Sequence, residues 1–384
     1  MLLLPLARLS IFVRRRSEVE YASIDIWALM DVVCTAMCGL LILHHYKKIN
    51  FSGFRKNGMS LLLGYYLFSV CSFLWKLPGT STPYIIYRAG CMTIMLLYAY
   101  FFITRFESKR QAFQALVNYL SIILCFSVYP SLISGSFHTN TYSFIAALVL
   151  AMTVMAYKQG LFSWKEISPY LILSAICLAI GTSAGSNVSF LCALLFIFSV
   201  NKRYFSFGRF FVCIILILLI WECAYEPFAH LLFPNKNINN LHAMTGRTKI
   251  WEVYLNAWAT RPWLGLGFSV GERSGSYFGY VYTLSTHNGF LSIIVNTGII
   301  GCVFWVLFLF RFCRELFVNV TKGSPYSMAV AAACVVIFVN NNTVPIIGSY
   351  YSPLSMSALL VLAFFSFWEM GDNDKSQHLV KKSF

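Results

Sequence analysis

The sequence predicts an all-α polytopic membrane protein with about 11–12 transmembrane helices and one large external loop containing short amphipathic helices. Two observations carry that prediction. Hydrophobic residues make up 58% of the 384 and charged residues only 11%, whereas a soluble domain carries about a quarter charged residues. Mean hydropathy is +0.68, and apolar stretches near the length of a bilayer crossing recur with short polar breaks between them. A hydrocarbon core of about 30 Å takes about 20 helical residues to cross.

In chain order the expected spans are 26–45, 58–75, 85–104, 113–133, 141–157, 169–183, 185–200, 207–226, 288–311, 326–346 and 352–369. Several are short, and the pair on either side of Ala184 reads as a broken or tightly turned unit. Four regions follow: N-terminal transmembrane helices over 1–225, a large loop over 226–287, C-terminal transmembrane helices over 288–370, and a tail over 371–384.

Charge sets the expected orientation. The net charge of +15 invites a nucleic-acid reading. The cations, however, stand in small groups between apolar spans, as the positive-inside rule requires. Alternate loops hold Lys47, Lys48, Arg55 and Lys56; Arg105, Lys109 and Arg110; Lys158 and Lys165; Lys202, Arg203 and Arg209; Arg311, Arg314 and Lys322. With Lys375, Lys381 and Lys382 in the tail, these place the C-terminus in the cytoplasm. Arg8 and the triplet Arg14, Arg15 and Arg16 then fall on the outside, against the rule. The N-terminal MLLLPLARLSIFVRRR has its apolar run before its arginines, the reverse of a signal peptide, and reads as an uncleaved interfacial segment. The 12 cysteines are scattered, with no Cys-x-x-Cys, and read as small apolar helix residues rather than a metal or disulfide framework.

From Pro227 to His287 no full apolar span occurs. A loop of this length inside a compact architecture is functional or disordered, and this one is too aromatic for disorder. It is the best candidate for the site. Within it MTGRTKIWEVYLNAWATRPWLGLGFSVGE predicts a short amphipathic helix followed by a glycine turn. Thr245 caps the helix start, and Ile250, Trp251, Tyr254, Leu255 and Trp258 form an aromatic face expected to lie on the membrane surface. Arg247 and Lys249 stand in the first turn, where unpaired backbone N–H groups favour an anion and a guanidinium suits bidentate phosphate binding. These cations could equally meet lipid phosphate. Gly265-Leu266-Gly267 is a turn and not a nucleotide loop.

His287-Asn288 opens the next span. A histidine at that surface can act as a general base or as a hydrogen-bond donor to phosphate, or can simply be solvated. No metal motif accompanies it. Weaker polar intrusions are Asp31 and Arg88, which could pair across spans, and Glu222 and Glu226, expected on the same side as Arg247. Asn340, Asn341 and Asn342, followed by Pro345, line a polar cavity or satisfy broken backbone, with the second preferred.

The ordered pattern Gly246-Arg247, Trp251, Arg261-Pro262-Trp263-Leu264-Gly265-Leu266-Gly267, His287-Asn288-Gly289-Phe290-Leu291 and Asn296-Thr297-Gly298-Ile299-Ile300-Gly301 resembles the O-antigen ligase/polymerase family. The resemblance implies a bacterial inner-membrane, multi-pass glycosyltransferase with a large periplasmic loop, needing neither metal nor other cofactor. Arg247 would hold the pyrophosphate of an undecaprenyl-linked oligosaccharide, and His287 would bind the donor phosphate or help deprotonate the acceptor hydroxyl. Asn288 joins them as a substrate-binding candidate. Many members carry a second phosphate-binding arginine in a Ser-Arg-Gly-like turn at the end of a middle span. Here Gly181-Thr182-Ser183-Ala184-Gly185-Ser186-Asn187 has Ala184 at that place, which weakens a ligase reading and leaves Lys249, Arg261 or Arg273 as substitutes. The expected function is polymerisation of lipid-linked repeat units of O antigen or another surface polysaccharide, with membrane lipid and a chain-length regulator protein as further partners. The alternatives are a ligase passing glycan to lipid A core and, from another class, a transporter of polysaccharide intermediates. Against the transporter, no internal repeat is evident and the notable cations cluster in one loop.

Overall fold

The computed structural model describes residues 26–45, 54, 58–78, 82–134, 139–181, 183–200, 247–269, 286–348 and 352–369, with isolated positions between 206 and 216. Among the described residues the regular elements are helices: α1 Ile26–His44, α2 Met59–Cys71 with a 3-10 turn Ser72–Leu74, α3 Thr82–Thr104 and α4 Lys109–Ser134. There follow α5 Thr139–Lys158, α6 Trp164–Gly181, α7 Ala184–Ser199 and α8 Arg247–Ala259. The last are α9 Gly289–Thr321, α10 Pro325–Asn340 and α11 Pro353–Phe364, which runs on as a π turn Phe365–Glu369. Each expected span therefore has its helix except 207–226, most of which lies outside the described residues, as do the N-terminal segment and the tail.

Among the described residues five helices are long and apolar enough to cross a membrane: Ile85–Thr104, Lys109–Val128, Thr139–Lys158, Trp164–Gly181 and Gly289–Thr321. Shorter apolar helices complete the bundle, and the chain is an all-α polytopic membrane protein. Helix α5 is its axis, packed by α4, α6, α7, α10 and α11 and buried from Thr141 to Thr153. Close approach is possible because α5 offers Ala146, Ala147 and Ala151, and α10 offers Ala329, Ala331, Ala332 and Ala333. Helix α11 is buried throughout against α3, α4 and α5, while α2 joins α3 to α9. The outward faces are apolar at helical spacing, Ile172, Ile176 and Ile180 on α6 and Val303, Leu307, Phe310 and Phe317 on α9. Such stripes belong against lipid.

The two ends of the bundle differ. At the basic end the buried Glu369 carboxylate pairs with Lys109 Nζ at 2.8 Å and accepts from the hydroxyls of Ser324 and Ser327. That arrangement ties the termini of α4, α10 and α11. At the opposite end the α6–α7 turn is as tight as expected. The Ser183 hydroxyl donates to Asn140 Oδ1 at 2.8 Å, and Asn340 Nδ2 donates to Ser186 Oγ at 3.1 Å. Thr343 Oγ1 donates to Asn340 Oδ1 at 2.7 Å, and the Ser186 hydroxyl donates to Ser183 Oγ at 3.2 Å. This polar chain crosses α5, α7 and α10, and it lets amides and hydroxyls lie buried at that end.

Candidate active site

Helix α9 is broken at Gly298, whose backbone sits at φ 63°, ψ −165°. In an unbroken helix Ile299 and Ile300 would donate to Val295 and Asn296. Instead they donate to the carbonyls of Pro262 and Trp263, at 2.9 and 3.2 Å. The carbonyls of Val295 and Asn296 accept from the N–H groups of Leu266 and Gly267, at 2.9 and 3.0 Å. Two donors and two acceptors released by the break are thus all met by the segment 261–268, which lies across it as a strap. The approach needs glycine on both sides. A Cβ on Gly265 would fall 2.5 Å from the Gly298 nitrogen, and one on Gly298 2.6 Å from the Gly265 nitrogen. The Arg-Pro-Trp-Leu-Gly-Leu-Gly and Asn-Thr-Gly patterns are one structural unit.

The other edge of the strap is held by the α2–α3 connection. Trp75 Nε1 donates to the Leu264 carbonyl at 2.8 Å, Leu77 N to the Leu266 carbonyl at 3.2 Å, and Phe268 N to Ser72 Oγ at 2.8 Å. Arg261, a sequence candidate for substrate binding, donates through Nη1 to the Trp75 carbonyl at 2.6 Å. What the structure gives it is a bracing contact. The break also folds the first turns of α9 back on the rest: the rings of Phe290 and Trp305, some 22 Å apart in a straight helix by rise alone, meet edge to face at 5.3 Å.

Helix α8 lies on α9. Tyr254 is fully buried, with Val253 and Ala257 beside it. Trp251 Nε1 donates to the Thr286 carbonyl at 3.0 Å, and Trp258 Nε1 to the Pro262 carbonyl at 3.1 Å. The sequence expectation of an aromatic face laid on the membrane is corrected here, because that face packs on protein and Leu255 points away, 44% exposed. Indole N–H groups need acceptors, and the strap and the turn at Thr286 supply carbonyls that hydrocarbon lacks.

Arg247 is the first residue of α8. It is half-buried, and desolvation lowers its pKa from the usual arginine value. Among the described residues none pairs with its guanidinium. Lys249 is exposed and, two residues on, lies on the other side of the helix, so the two first-turn cations are not brought together. Arg273, Thr245, Glu222 and Glu226 lie outside the described residues, as does the side chain of Asp31, so the pairing expected with Arg88 does too.

His287 adopts φ 50°, a left-handed conformation uncommon outside glycine. Its neighbours fix it. The Thr286 hydroxyl donates to the Asn288 carbonyl at 2.8 Å and lies 2.6 Å from Ser292 Oγ. Asn288 caps α9, its Oδ1 accepting from Phe290 N at 2.9 Å and Leu291 N at 3.1 Å. That oxygen, on a residue expected to bind substrate, is therefore engaged by the helix. Gly289 N donates to the Asn341 carbonyl at 2.7 Å, and Asn341 Oδ1 accepts from Ile346 N and Ile347 N at 2.9 and 3.2 Å. The asparagine run thus satisfies broken backbone. Asn296 differs: it is fully buried, and among the described residues neither its Oδ1 nor its Nδ2 has a partner.

Arg247 and Trp251 are one helical turn apart on the same face of α8, and Trp251 binds the residue that precedes His287. That bond links the helix that starts at Arg247 to the turn that holds His287. Sequence reasoning missed Trp75, Thr286 and Ser292, whose signal was only their residue type, since each acts on a partner that spacing does not indicate. A half-desolvated guanidinium at a helix start, unpaired among the described residues, favours a phosphate or pyrophosphate.

Residues 169–306 match a family model described as O-Antigen ligase. Comparison with curated proteins gives no match. The matched stretch, rather more than a third of the chain, contains most of α6, all of α7 and α8, the strap, His287 and the broken part of α9, and over it the chain is similar to the O-antigen ligase family.

Proposed function

We propose that the protein is a glycosyltransferase that polymerises undecaprenyl-pyrophosphate-linked oligosaccharide repeats of O antigen or another surface polysaccharide. Members of the family that residues 169–306 match are glycosyltransferase-like enzymes of ligase and polymerase type. The observation that carries the reading is Arg247: half-buried, unpaired among the described residues, and tied through Trp251 to the turn that holds His287. In the reaction an acceptor hydroxyl attacks the anomeric carbon of the donor glycan, and the bond from that carbon to the pyrophosphate oxygen breaks. Negative charge grows on the departing pyrophosphate, where a fixed guanidinium stabilises it. His287 either takes the acceptor proton or donates a hydrogen bond to the donor phosphate.

In this reading the basic end of the bundle and the C-terminus face the cytoplasm of a bacterial inner membrane, and the strap, α8 and His287 face the periplasm. Ala184 favours polymerase over ligase, because the α6–α7 turn, whose Ser183 and Ser186 hydroxyls engage Asn140 and Asn340, offers no arginine. The test is Arg247→Ala and His287→Ala in the purified protein with a synthetic lipid-linked repeat and no ATP or ion gradient. The expected result is a polymer ladder from the wild type and loss of about 100-fold or more in each variant. Full-length product from both variants would refute the site, and transfer only to added lipid A core would make the protein a ligase.

A further inference from the structure

His287 and Arg247 are 40 positions apart in sequence and sit on different elements. A reaction that uses both needs their separation fixed, since misplacement by about 1 Å costs on the order of 100-fold in rate. Three features bear on how that is achieved. First, His287 holds a strained left-handed backbone, φ 50°, and strain of this kind persists only where surrounding bonds over-determine it. Second, those bonds converge on Thr286, whose hydroxyl engages the Asn288 carbonyl and Ser292. Third, the Thr286 carbonyl is the acceptor for Trp251 Nε1 at 3.0 Å, and Trp251 is one turn from Arg247 on the same face of α8.

We propose that Trp251 is a positioning residue: its indole N–H, bound to the carbonyl before His287, holds the histidine turn and the start of α8 as one rigid unit. This rests on the assignment of Arg247 and His287 above. Trp258 is an internal comparison. It stands on the same helix, is partly buried and makes an equivalent N–H bond, but to Pro262 of the strap rather than to the histidine turn. A purely structural contribution of indole bonds on α8 would therefore be similar at the two positions.

The experiment replaces each tryptophan, one at a time in the full chain, by its benzothienyl analogue, which exchanges the N–H for sulfur and keeps the ring size. Chain elongation is measured as kcat and as KM for the lipid-linked donor. At position 251 kcat should fall about 10-fold with donor KM unchanged within about two-fold, while position 258 keeps its kcat. Trp251→Phe should repeat the kcat loss. Equal effects at 251 and 258, or a loss at 251 confined to KM, would overturn the proposal. Failure of the underlying reading is distinguishable, because Arg247→Ala and His287→Ala would then remain active whatever the tryptophans do.

Discussion

The break in α9 offers the most demanding test of the structure, through Gly298→Ala. The substitution faces two costs. The backbone at φ 63°, ψ −165° is essentially reserved for glycine, and forcing alanine into it costs about 1–3 kcal/mol. The new Cβ would also lie 2.5 Å from the Trp263 carbonyl carbon and 2.6 Å from the Gly265 nitrogen. Those are backbone atoms with no rotamer to change, so the strap must move. Moving it puts at risk the four hydrogen bonds that Leu266, Gly267, Ile299 and Ile300 donate across the break. At about 0.5–1.5 kcal/mol each, the loss of two or more of them brings the total to about 3–5 kcal/mol.

Gly90→Ala, inside α3, is the control. A Cβ there has nothing within 4 Å and the backbone is ordinary helix, so a change of about 1 kcal/mol or less is expected. The assay is thermal unfolding in detergent followed by tryptophan fluorescence, which reports directly on Trp251, Trp258 and Trp263, together with polymer synthesis. Gly298→Ala should melt several degrees lower and make little product, with Gly90→Ala close to wild type. Should Gly298→Ala match Gly90→Ala in melting temperature and activity, the strap does not rest on the break in the way described.

Two further perturbations probe the bundle. Glu369→Gln leaves Lys109 without its carboxylate and should cost about 2–3 kcal/mol, less than a fully buried pair because Lys109 is 22% exposed; adding Lys109→Met should recover part of the loss in melting temperature, and no recovery would argue against the pair. The two buried asparagines should behave oppositely. Asn341→Ala strands the N–H groups of Ile346 and Ile347 and should destabilise by about 2–4 kcal/mol. Asn296→Leu removes an amide whose oxygen and nitrogen are both unpaired among the described residues and should raise the melting temperature, a drop instead showing that buried water satisfies it.

Much of the bundle was legible because a helix in lipid is apolar on every face, so length and composition alone mark it. The surface helix was legible from its spacing, yet its contact face was misjudged at Leu255. Hydrophobicity marks a residue as needing cover without saying whether lipid or protein provides it, and the indole N–H groups of Trp251 and Trp258 decided for protein. The break at Gly298 was invisible. A glycine in an apolar span reads as a small packing residue, and its meaning depends on a strap some 30 residues earlier whose own glycines looked like an ordinary turn. Trp75 and Arg261 were hidden for the same reason: their bonds cross 186 residues of sequence.

The break also bears on where the chemistry is held. Helix α9 has 33 residues and, if straight, would extend about 50 Å, well beyond a hydrocarbon core of about 30 Å. Its neighbour α10 has 16 residues, about 24 Å, and ends at the asparagine run. Yet the first residue of α9 bonds to that end, Gly289 N to the Asn341 carbonyl, and the Phe290 ring rests on Trp305. Folding back at Gly298 is what reconciles these lengths, because it returns the start of α9 to the height at which α10 stops. His287 and the first turn of α8 come down with it, fastened through Trp251. If the donor is the proposed polyprenyl pyrophosphate, its pyrophosphate lies at the headgroup level of the bilayer, and a histidine at the tip of a straight α9 would stand about 20 Å above it. In the proposed function the strap and its glycines thereby set the depth of the site to match that of its substrate.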